Sequence, residues 1–424
     1  MEIRIKPQSL TGRVAAVPSK SAAHRCLIAA SVADQPTLLH LSGTNRDLQA
    51  TQLCLTNLGA FFENSDQDTL RVTPLQQNKA TGPIAFPCQE SGTTLRFLLP
   101  LAAALGVEAY FSGDGRLSQR PLADLRQQLI LHGVNFSKES LPFILSGILQ
   151  PGDYQLPGNI SSQYISGLLL ALPMLKKDSR IYLTVPLESA GYVDLTIAVL
   201  DQFGVRIQCL PDGYGIPGRQ TYHSPGTMQV EGDWSNAACW LVGGAFSCDG
   251  IRVDGLNLNS TQGDRAITTL LQRSGVRLRQ SADGVTVQLG AIQAMTMDAA
   301  QIPDLVPLLA VLAAAAQGES RLLHVKRLRF KESDRLQAIL EMMSSLGGRA
   351  FLEEDGDTLC IDGRGFLQGG WVNSYADHRM VMAASIAACI AKDSVTIRSA
   401  EAIEKSYPGF FLDYASLGGK FYVL

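Results

Sequence analysis

Six glycines, Gly59, Gly133, Gly204, Gly275, Gly347 and Gly418, each close a helical pattern (NLGA, LHGV, QFGV, RSGV, SLGG, SLGG), at separations of 74, 71, 71, 72 and 71 residues. A β-like stretch follows each one, often with a turn signal inside, as in VRIQCLPDGYGI, VRLRQSADGVTVQL and RAFLEEDGDTLCI. A second helix type recurs between these points, rich in small residues and apolar nearly all round. Its copies start near Ser21, Thr93, Ser161, Ser235, Pro303 and Asp377, separated by 72, 68, 74, 68 and 74 residues. Two independent markers therefore keep one period, and the chain reads as six copies of a unit: helix, strand, amphipathic helix, strand pair. Helices without a polar face must be buried. The 424 residues exceed what one core accommodates, and six units divide naturally into three plus three. The expected fold is α/β: two similar domains, each of three units, with sheets outside and small-residue helices inside. The closing KFYVL is a truncated sixth strand pair, for which the N-terminal EIRIK is a candidate partner.

Composition narrows the function classes. The net charge of −3 gives no bulk attraction to nucleic acid or an anionic membrane, so any anion site must be local. Apolar runs such as Phe97 to Val107 are too short to span a bilayer, and MEIRIKPQSL carries no signal or transit pattern. None of the eight cysteines has CxxC spacing and several lie in apolar runs, as expected of buried free thiols in a reducing cytosol. No HExxH, Walker A or strand–helix GxGxxG pattern is present. The expected chemistry is acid–base and electrostatic work on small anions, with no cofactor and no metal.

The unusual polar groups gather at the starts of the buried helices: Lys20, Ser21 and Arg25; Glu90, Ser91, Gly92, Thr93 and Arg96; Ser161, Ser162 and Gln163; Asp304; Asp377, His378 and Arg379. Capping accounts for Ser, Thr and Asp, but not for Arg and Lys. Parallel buried helices that point their N-termini one way make an anion site. Lys20, Arg25, Arg96, Arg120, Lys331, Arg335, Arg379 and Lys405 supply more charge than one phosphate needs, so two multiply charged small molecules are expected. The stretch KESDRLQAILEMMSSLGG reads as one helix with Lys331 and Arg335 on a shared face of its first turn, where cations are unfavourable. That crowding fits either a solvated charged face or a bound anion. Asp304 and Glu332 fit acid–base roles, and equally an N-cap and an ion-pair partner.

Nine segments, in order across almost the whole chain, resemble the 5-enolpyruvylshikimate-3-phosphate synthase family: PSKSAAHR (18–25), ESGTTLR (90–96), RP (120–121), SSQYISGLL (161–169), ESAGYVDLT (188–196), IPDLVP (302–307), RFKESDR (329–335), YADHRM (375–380) and EKSYPGF (404–410). The resemblance implies two domains of three βαβαββ units each, an inside-out α/β barrel. The lobes would be 1–13 with 228–424, and 14–227, with the active site in the cleft between them. It implies transfer of enolpyruvate from phosphoenolpyruvate to the 5-hydroxyl of shikimate 3-phosphate by a cytoplasmic enzyme, expected to be a monomer. By resemblance, Lys20, Ser21, Arg25, Ser161, Ser162, Gln163, Ser189, Tyr192, Asp304 and Lys331 would contact shikimate 3-phosphate. Lys20, Gly92, Arg120, Gln163, Arg335, Arg379 and Lys405 would contact phosphoenolpyruvate. Asp304 would take the hydroxyl proton, Glu332 would protonate the methylene carbon, and Lys20 and His378 would assist. The chain departs from the family pattern at Glu90, where Asn is common, at Arg327, often Asn, and at Phe97, often Pro.

Two other readings compete. The related UDP-N-acetylglucosamine enolpyruvyl transferases carry a loop cysteine, which would fall in GDGRLSQR; no Cys stands there. A non-catalytic small-anion binder would need the cations but not the set Asp304, Glu332, Lys20 and His378.

Overall fold

The computed structural model describes residues 1–76 and 82–424. Its contacts divide the chain into two compact units, Met1–Val17 with Glu231–Leu424, and Pro18–Val230. The chain opens with β1 (Glu2–Ile5) and then enters the first repeat: β2 (Gly12–Ala15), α1 (Lys20–Ser31), β3 (Thr37–His40), α2 (Arg46–Leu58), β4 (Phe61–Asn64) and β5 (Thr69–Thr73). The second is β6 (Ile84–Pro87), α3 (Gly92–Ala104), β7 (Ala109–Ser112), α4 (Ala123–Leu131), β8 (Val134–Phe136) and β9 (Phe143–Gly147). The third is β10 (Asp153–Leu156), α5 (Ser162–Ala171), β11 (Ser179–Leu183), α6 (Ala190–Gln202), β12 (Gln208–Leu210) and β13 (Gly213–Ile216). The fourth is β14 (Thr227–Gln229), α7 (Trp234–Gly244), β15 (Ile251–Asp254), α8 (Ile267–Arg273), β16 (Arg277–Ser281) and β17 (Gly284–Gln288). The fifth is β18 (Thr296–Asp298), α9 (Val306–Ala315), β19 (Gln317–Leu323), α10 (Arg335–Ser345), β20 (Arg349–Leu352) and β21 (Leu359–Arg364). The sixth is β22 (Gly370–Asn373), α11 (His378–Ala387), β23 (Val395–Arg398), α12 (Phe410–Ser416) and β24 (Phe421–Val423).

The period in the sequence is thus a period in the structure. All six repeat glycines have positive φ, between 72° and 114°, a conformation open to residues without a Cβ. Among the described residues there are six four-stranded sheets of one pattern, a parallel pair followed by two antiparallel pairings, as in β6-β7-β9-β8 and β10-β11-β13-β12. The strand missing from the sixth repeat is supplied by β1, which pairs antiparallel with β23 and, as expected for EIRIK, with β24 (Ile3 opposite Val423).

One feature of the pairing is not sequential. β2, which leads the first repeat, pairs in parallel with β15 of the fourth (Val14 opposite Val253). β14, which leads the fourth, pairs in parallel with β3 of the first (Met228 opposite Leu39). This exchange of leading strands moves the expected boundaries. Residues 14–17 belong with the unit that holds β15, and 228–230 with the unit that holds β3, so the crossings fall at 17/18 and 230/231 rather than 13/14 and 227/228.

Within Pro18–Val230, α1, α3 and α5 are buried along most of their length, and within the other unit α7, α9 and α11 are. Small residues permit this: a Cβ on Gly167 of α5 would collide with the Arg96 carbonyl of α3. The helices between them, such as α2 and α10, bury one face only. Cys209 and Cys248 are exposed rather than buried, because they lie on an edge strand and in a turn. Among the described residues no helix is long and apolar enough to cross a membrane.

Candidate active site

In the unit Met1–Val17 with Glu231–Leu424, the stretch expected to be one helix from Lys331 is not. Residues 326–330 form a 3-10 turn, Lys331 is extended, and α10 begins only at Arg335, because Asp334 takes the N-cap and accepts from the Gln337 N–H at 3.0 Å. Lys331 and Arg335 therefore do not share a helix face. Arg335 instead turns inward to 1 % exposure and meets three carboxylates. Its Nε donates to Asp377 Oδ2 at 2.8 Å, Nη1 to Asp304 Oδ1 at 2.7 Å and Nη2 to Glu332 Oε2 at 2.7 Å. These bonds answer the unfavourable dipole at the first residue of a helix. Lys331 Nζ reaches the same Asp304 oxygen at 3.4 Å, and Arg379 Nη2 stands 4.0 Å from Asp304 Oδ2.

Asp304 sits two residues before α9, in the turn rather than at the N-cap, which is Leu305. Burial pushes its carboxyl up, but Lys331, Arg335 and Arg379 together outweigh burial and hold it well below the usual carboxylate range. It is ionised. Burial lowers the Lys331 ammonium, against Asp304, which raises it; Arg327 and Arg335 add to the lowering.

Asp377 joins the two cationic segments. It is fully buried and N-caps α11 through the Arg379 N–H at 2.9 Å. It also accepts from Arg335 and, at 3.0 Å, from the Ser333 hydroxyl. His378, 3 % exposed, places Nδ1 3.8 Å from Asp377 Oδ1. Lys405 Nζ donates to the Ala376 carbonyl at 2.7 Å, so it lies at the same helix start.

Sequence reasoning gave no role to the start of α7, which joins this cluster. Asp233 caps α7, Asn236 Oδ1 accepts from Arg379 Nη1 at 3.1 Å, and the Ser235 hydroxyl donates to Asp264. Asp264 is fully buried; burial first, and then the Asp304 charge, push its carboxyl up to about 6 despite the Ser235 hydrogen bond and Arg379. Polar residues on the first turn of an all-apolar helix were the available signal.

In the unit Pro18–Val230, Lys20 opens α1 and pairs with Asp47 of α2 at 2.7 Å, both side chains about 15 % exposed. Arg25 is buried one turn further on. It donates to Thr196 Oγ1 at 2.7 Å and to the carbonyls of Ser21 and Tyr192 at 2.6 and 2.8 Å, and its guanidinium lies 4.9 Å over the Phe97 ring. The departure at Phe97 thus gives Arg25 an aromatic floor. Arg96 Nη1 donates to Gln163 Oε1 at 2.8 Å, and Gln163 Nε2 to Thr93 Oγ1 at 2.8 Å, which ties the starts of α3 and α5 together. Gly92 lies against two guanidinium groups: a Cβ there would come within 2.6 Å of Arg120 Nη1 and 2.8 Å of Arg96 Nη1, so a larger residue would displace those side-chain ends. Glu90 lies against Gly115, and Ser161 caps α5. Ser162 follows it at the first turn; Ser189, with φ of 57°, and Tyr192 open α6. Each unit therefore gathers its own share of the expected site residues, most of them at or near helix starts, with Lys331, Arg120 and Lys405 in the segments between the α-helices. The described residues contain no group of His, Cys, Asp and Glu arranged to hold a metal.

The class comes first from the fold. The structure matches an EPSP synthase from Acinetobacter baumannii with a TM-score of 0.82 at 22 % identity, each chain covered fully. It also matches the enolpyruvyl transferase NikO from Streptomyces tendae with a TM-score of 0.80 at 19 % identity, covering 99 % and 98 % of the two chains. The fold is that of the enolpyruvyl transferases. The sequence is 39 % identical to the 3-phosphoshikimate 1-carboxyvinyltransferase of Clostridium kluyveri (99 % of this chain, 97 % of the relative) and 38 % identical to that of Clostridium acetobutylicum (98 % and 97 %). Residues 5–413 match the family profile EPSP synthase (3-phosphoshikimate 1-carboxyvinyltransferase), and the chain belongs to that family.

Proposed function

We propose that this chain transfers the enolpyruvyl group of phosphoenolpyruvate to the 5-hydroxyl of shikimate 3-phosphate and releases phosphate. The hydroxyl oxygen bonds to C2 of phosphoenolpyruvate while the methylene carbon gains a proton. The tetrahedral adduct then loses a proton from that carbon and expels phosphate, restoring the double bond. Family membership favours this reaction over transfer to a sugar nucleotide and over binding without turnover.

The observation that carries the residue assignment is the sharing of buried Arg335 by Asp304 and Glu332. Asp304 takes the hydroxyl proton and Glu332 protonates the methylene carbon, with Lys20 and His378 assisting. An aspartate held low by cations is a weak base. Anions that draw on Lys331, Arg335 and Arg379 weaken that hold, so substrate binding raises the basicity of Asp304 where the proton must leave. Shikimate 3-phosphate is assigned to Lys20, Ser21, Arg25, Ser161, Ser162, Gln163, Ser189, Tyr192, Asp304 and Lys331. Phosphoenolpyruvate is assigned to Lys20, Gly92, Arg120, Gln163, Arg335, Arg379 and Lys405. Fixed cations around an adduct more anionic than either substrate lower its energy most. The eight free cysteines suit a reducing cytoplasm, and the chain is expected to be a monomer, which sedimentation checks. The deciding assay is phosphate release: it is expected with phosphoenolpyruvate plus shikimate 3-phosphate. Release with UDP-N-acetylglucosamine instead, or tight binding with no release, would overturn the proposal.

A further inference from the structure

The two buried arginines of the Asp304 cluster are held in different ways. Arg335 is surrounded by carboxylates, which take up its charge. Arg379 faces Asp304, with Nη2 4.0 Å from Oδ2, and also donates to an amide. Asn236, on the first turn of α7 and 1 % exposed, accepts from Arg379 Nη1 through Oδ1 at 3.1 Å. A guanidinium offers only donors, so the amide oxygen, not its NH2, must face it. The rest of the amide agrees. The Ser406 hydroxyl approaches the same oxygen at 3.5 Å, and Nδ2 lies 3.5 Å from the Ser406 carbonyl as donor. The backbone of Asn236 is fixed by its own N–H, donated to the capping Asp233 at 2.7 Å. Ser406 directly follows Lys405, so one side chain links α7, the helix carrying Arg379 and the segment carrying Lys405.

We propose that Asn236 is a positioning residue that aims Arg379 at the phosphoenolpyruvate anion without setting a further carboxylate, besides Asp304, against its charge. This rests on Arg379 being a phosphoenolpyruvate contact. An aspartate at 236 has nearly the same shape and would still accept from Nη1, but it would set a full negative charge against the guanidinium. A leucine has similar volume and removes the acceptor.

The test is steady-state kinetics on Asn236→Asp, Asn236→Leu, Arg379→Gln and the double variant Asn236→Leu/Arg379→Gln. Asn236→Leu is expected to raise KM for phosphoenolpyruvate about tenfold, the worth of one hydrogen bond to a charged group, and Asn236→Asp about a hundredfold. KM for shikimate 3-phosphate and kcat stay within about threefold of the parent. On the Arg379→Gln background the leucine adds less than about twofold, because its effect runs through the guanidinium. If Arg379→Gln raises KM for phosphoenolpyruvate but Asn236→Asp does not, the positioning role is wrong and the contact stands. If Arg379→Gln leaves that KM unchanged, the contact itself fails and the inference goes with it. Equal rises in KM for both substrates would reduce Asn236 to a packing residue. Should the leucine variant not fold, the near-isosteric aspartate alone decides.

Discussion

Asp304 concentrates the residue-scale argument, because one oxygen serves two cations. Replacing it by alanine removes the proposed proton acceptor and one proposed shikimate 3-phosphate contact, but also a negative neighbour of Lys331 and Arg335, whose loss favours anion binding. Asp304→Ala is expected to lower kcat by about 10²–10⁴-fold, the usual worth of a general base, with substrate dissociation constants changed less than about tenfold. An unchanged kcat in a coupled phosphate assay would remove Asp304 from the role. Asp264 is the opposite case, a buried carboxyl raised to about 6. The native protein keeps this proton after the unfolded chain, with an ordinary carboxyl, has released it near pH 4. Stability from this group is therefore full below pH 4 and is lost as pH climbs through 6. Asp304, held low, works in the other direction and only below the ordinary carboxylate range. Asp264→Asn should thus gain on the parent by about 3 kcal/mol between pH 4 and pH 7, measured by urea unfolding. Parallel stability–pH curves would show that Asp264 ionises normally. Its burial could not be read from GDRA, which looks like an exposed turn; what buries it is the packing of α7, distant in sequence.

At the scale of elements, the entry to α11 carries strain. Tyr375 and Ala376 both have φ of 53°, in a region that L-residues enter at a cost of about 1–2 kcal/mol each. The geometry sends the Ala376 carbonyl to Lys405 and delivers Asp377 to Arg335. Ala376→Gly should leave the protein as stable as the parent or up to about 1 kcal/mol more so. Ala376→Val should cost about 2 kcal/mol and raise KM for phosphoenolpyruvate, since a β-branched side chain resists this conformation. Denaturant melts decide: equal losses in both variants would mean that backbone conformation is not what matters there. This entry also shows what sequence can and cannot give. Burial of the six small-residue helices was legible because periodicity is a local property. The start of α10 was not: Lys331 and Glu332 suit a first turn as well as Arg335 does. The competition was settled by Asp334 taking the cap and Arg335 finding Asp304 and Asp377, which are 31 and 42 residues away. The Asn236–Arg379 pair spans 143 residues, and Asn at a helix start carries a ready explanation as a cap, so the pattern alone assigned it nothing.

At the scale of the whole molecule, the leading-strand exchange makes the two units unequal as pieces of chain. Pro18–Val230 is continuous and contains three complete sheets, β14-β3-β5-β4, β6-β7-β9-β8 and β10-β11-β13-β12, over its own core. The other unit is discontinuous. Its N-terminal segment supplies β2, an edge strand, and β1, an inner strand that bonds both β23 and β24. Without β1 those two strands become open edges above a buried core, a state prone to aggregation. A fragment of residues 18–230 is therefore expected to unfold cooperatively on its own, whereas 231–424 should fold only when residues 1–17 are attached or added as a peptide. The first fragment carries most of the proposed shikimate 3-phosphate contacts but lacks Asp304 and Lys331. It should bind that substrate measurably by calorimetry, more weakly than the full chain, and release no phosphate. Circular dichroism melts of the fragments provide the check. If 231–424 melts as sharply alone as it does with residues 1–17, the inner position of β1 does not hold that unit together, and the exchange of β2 for β14 is only a route the chain takes.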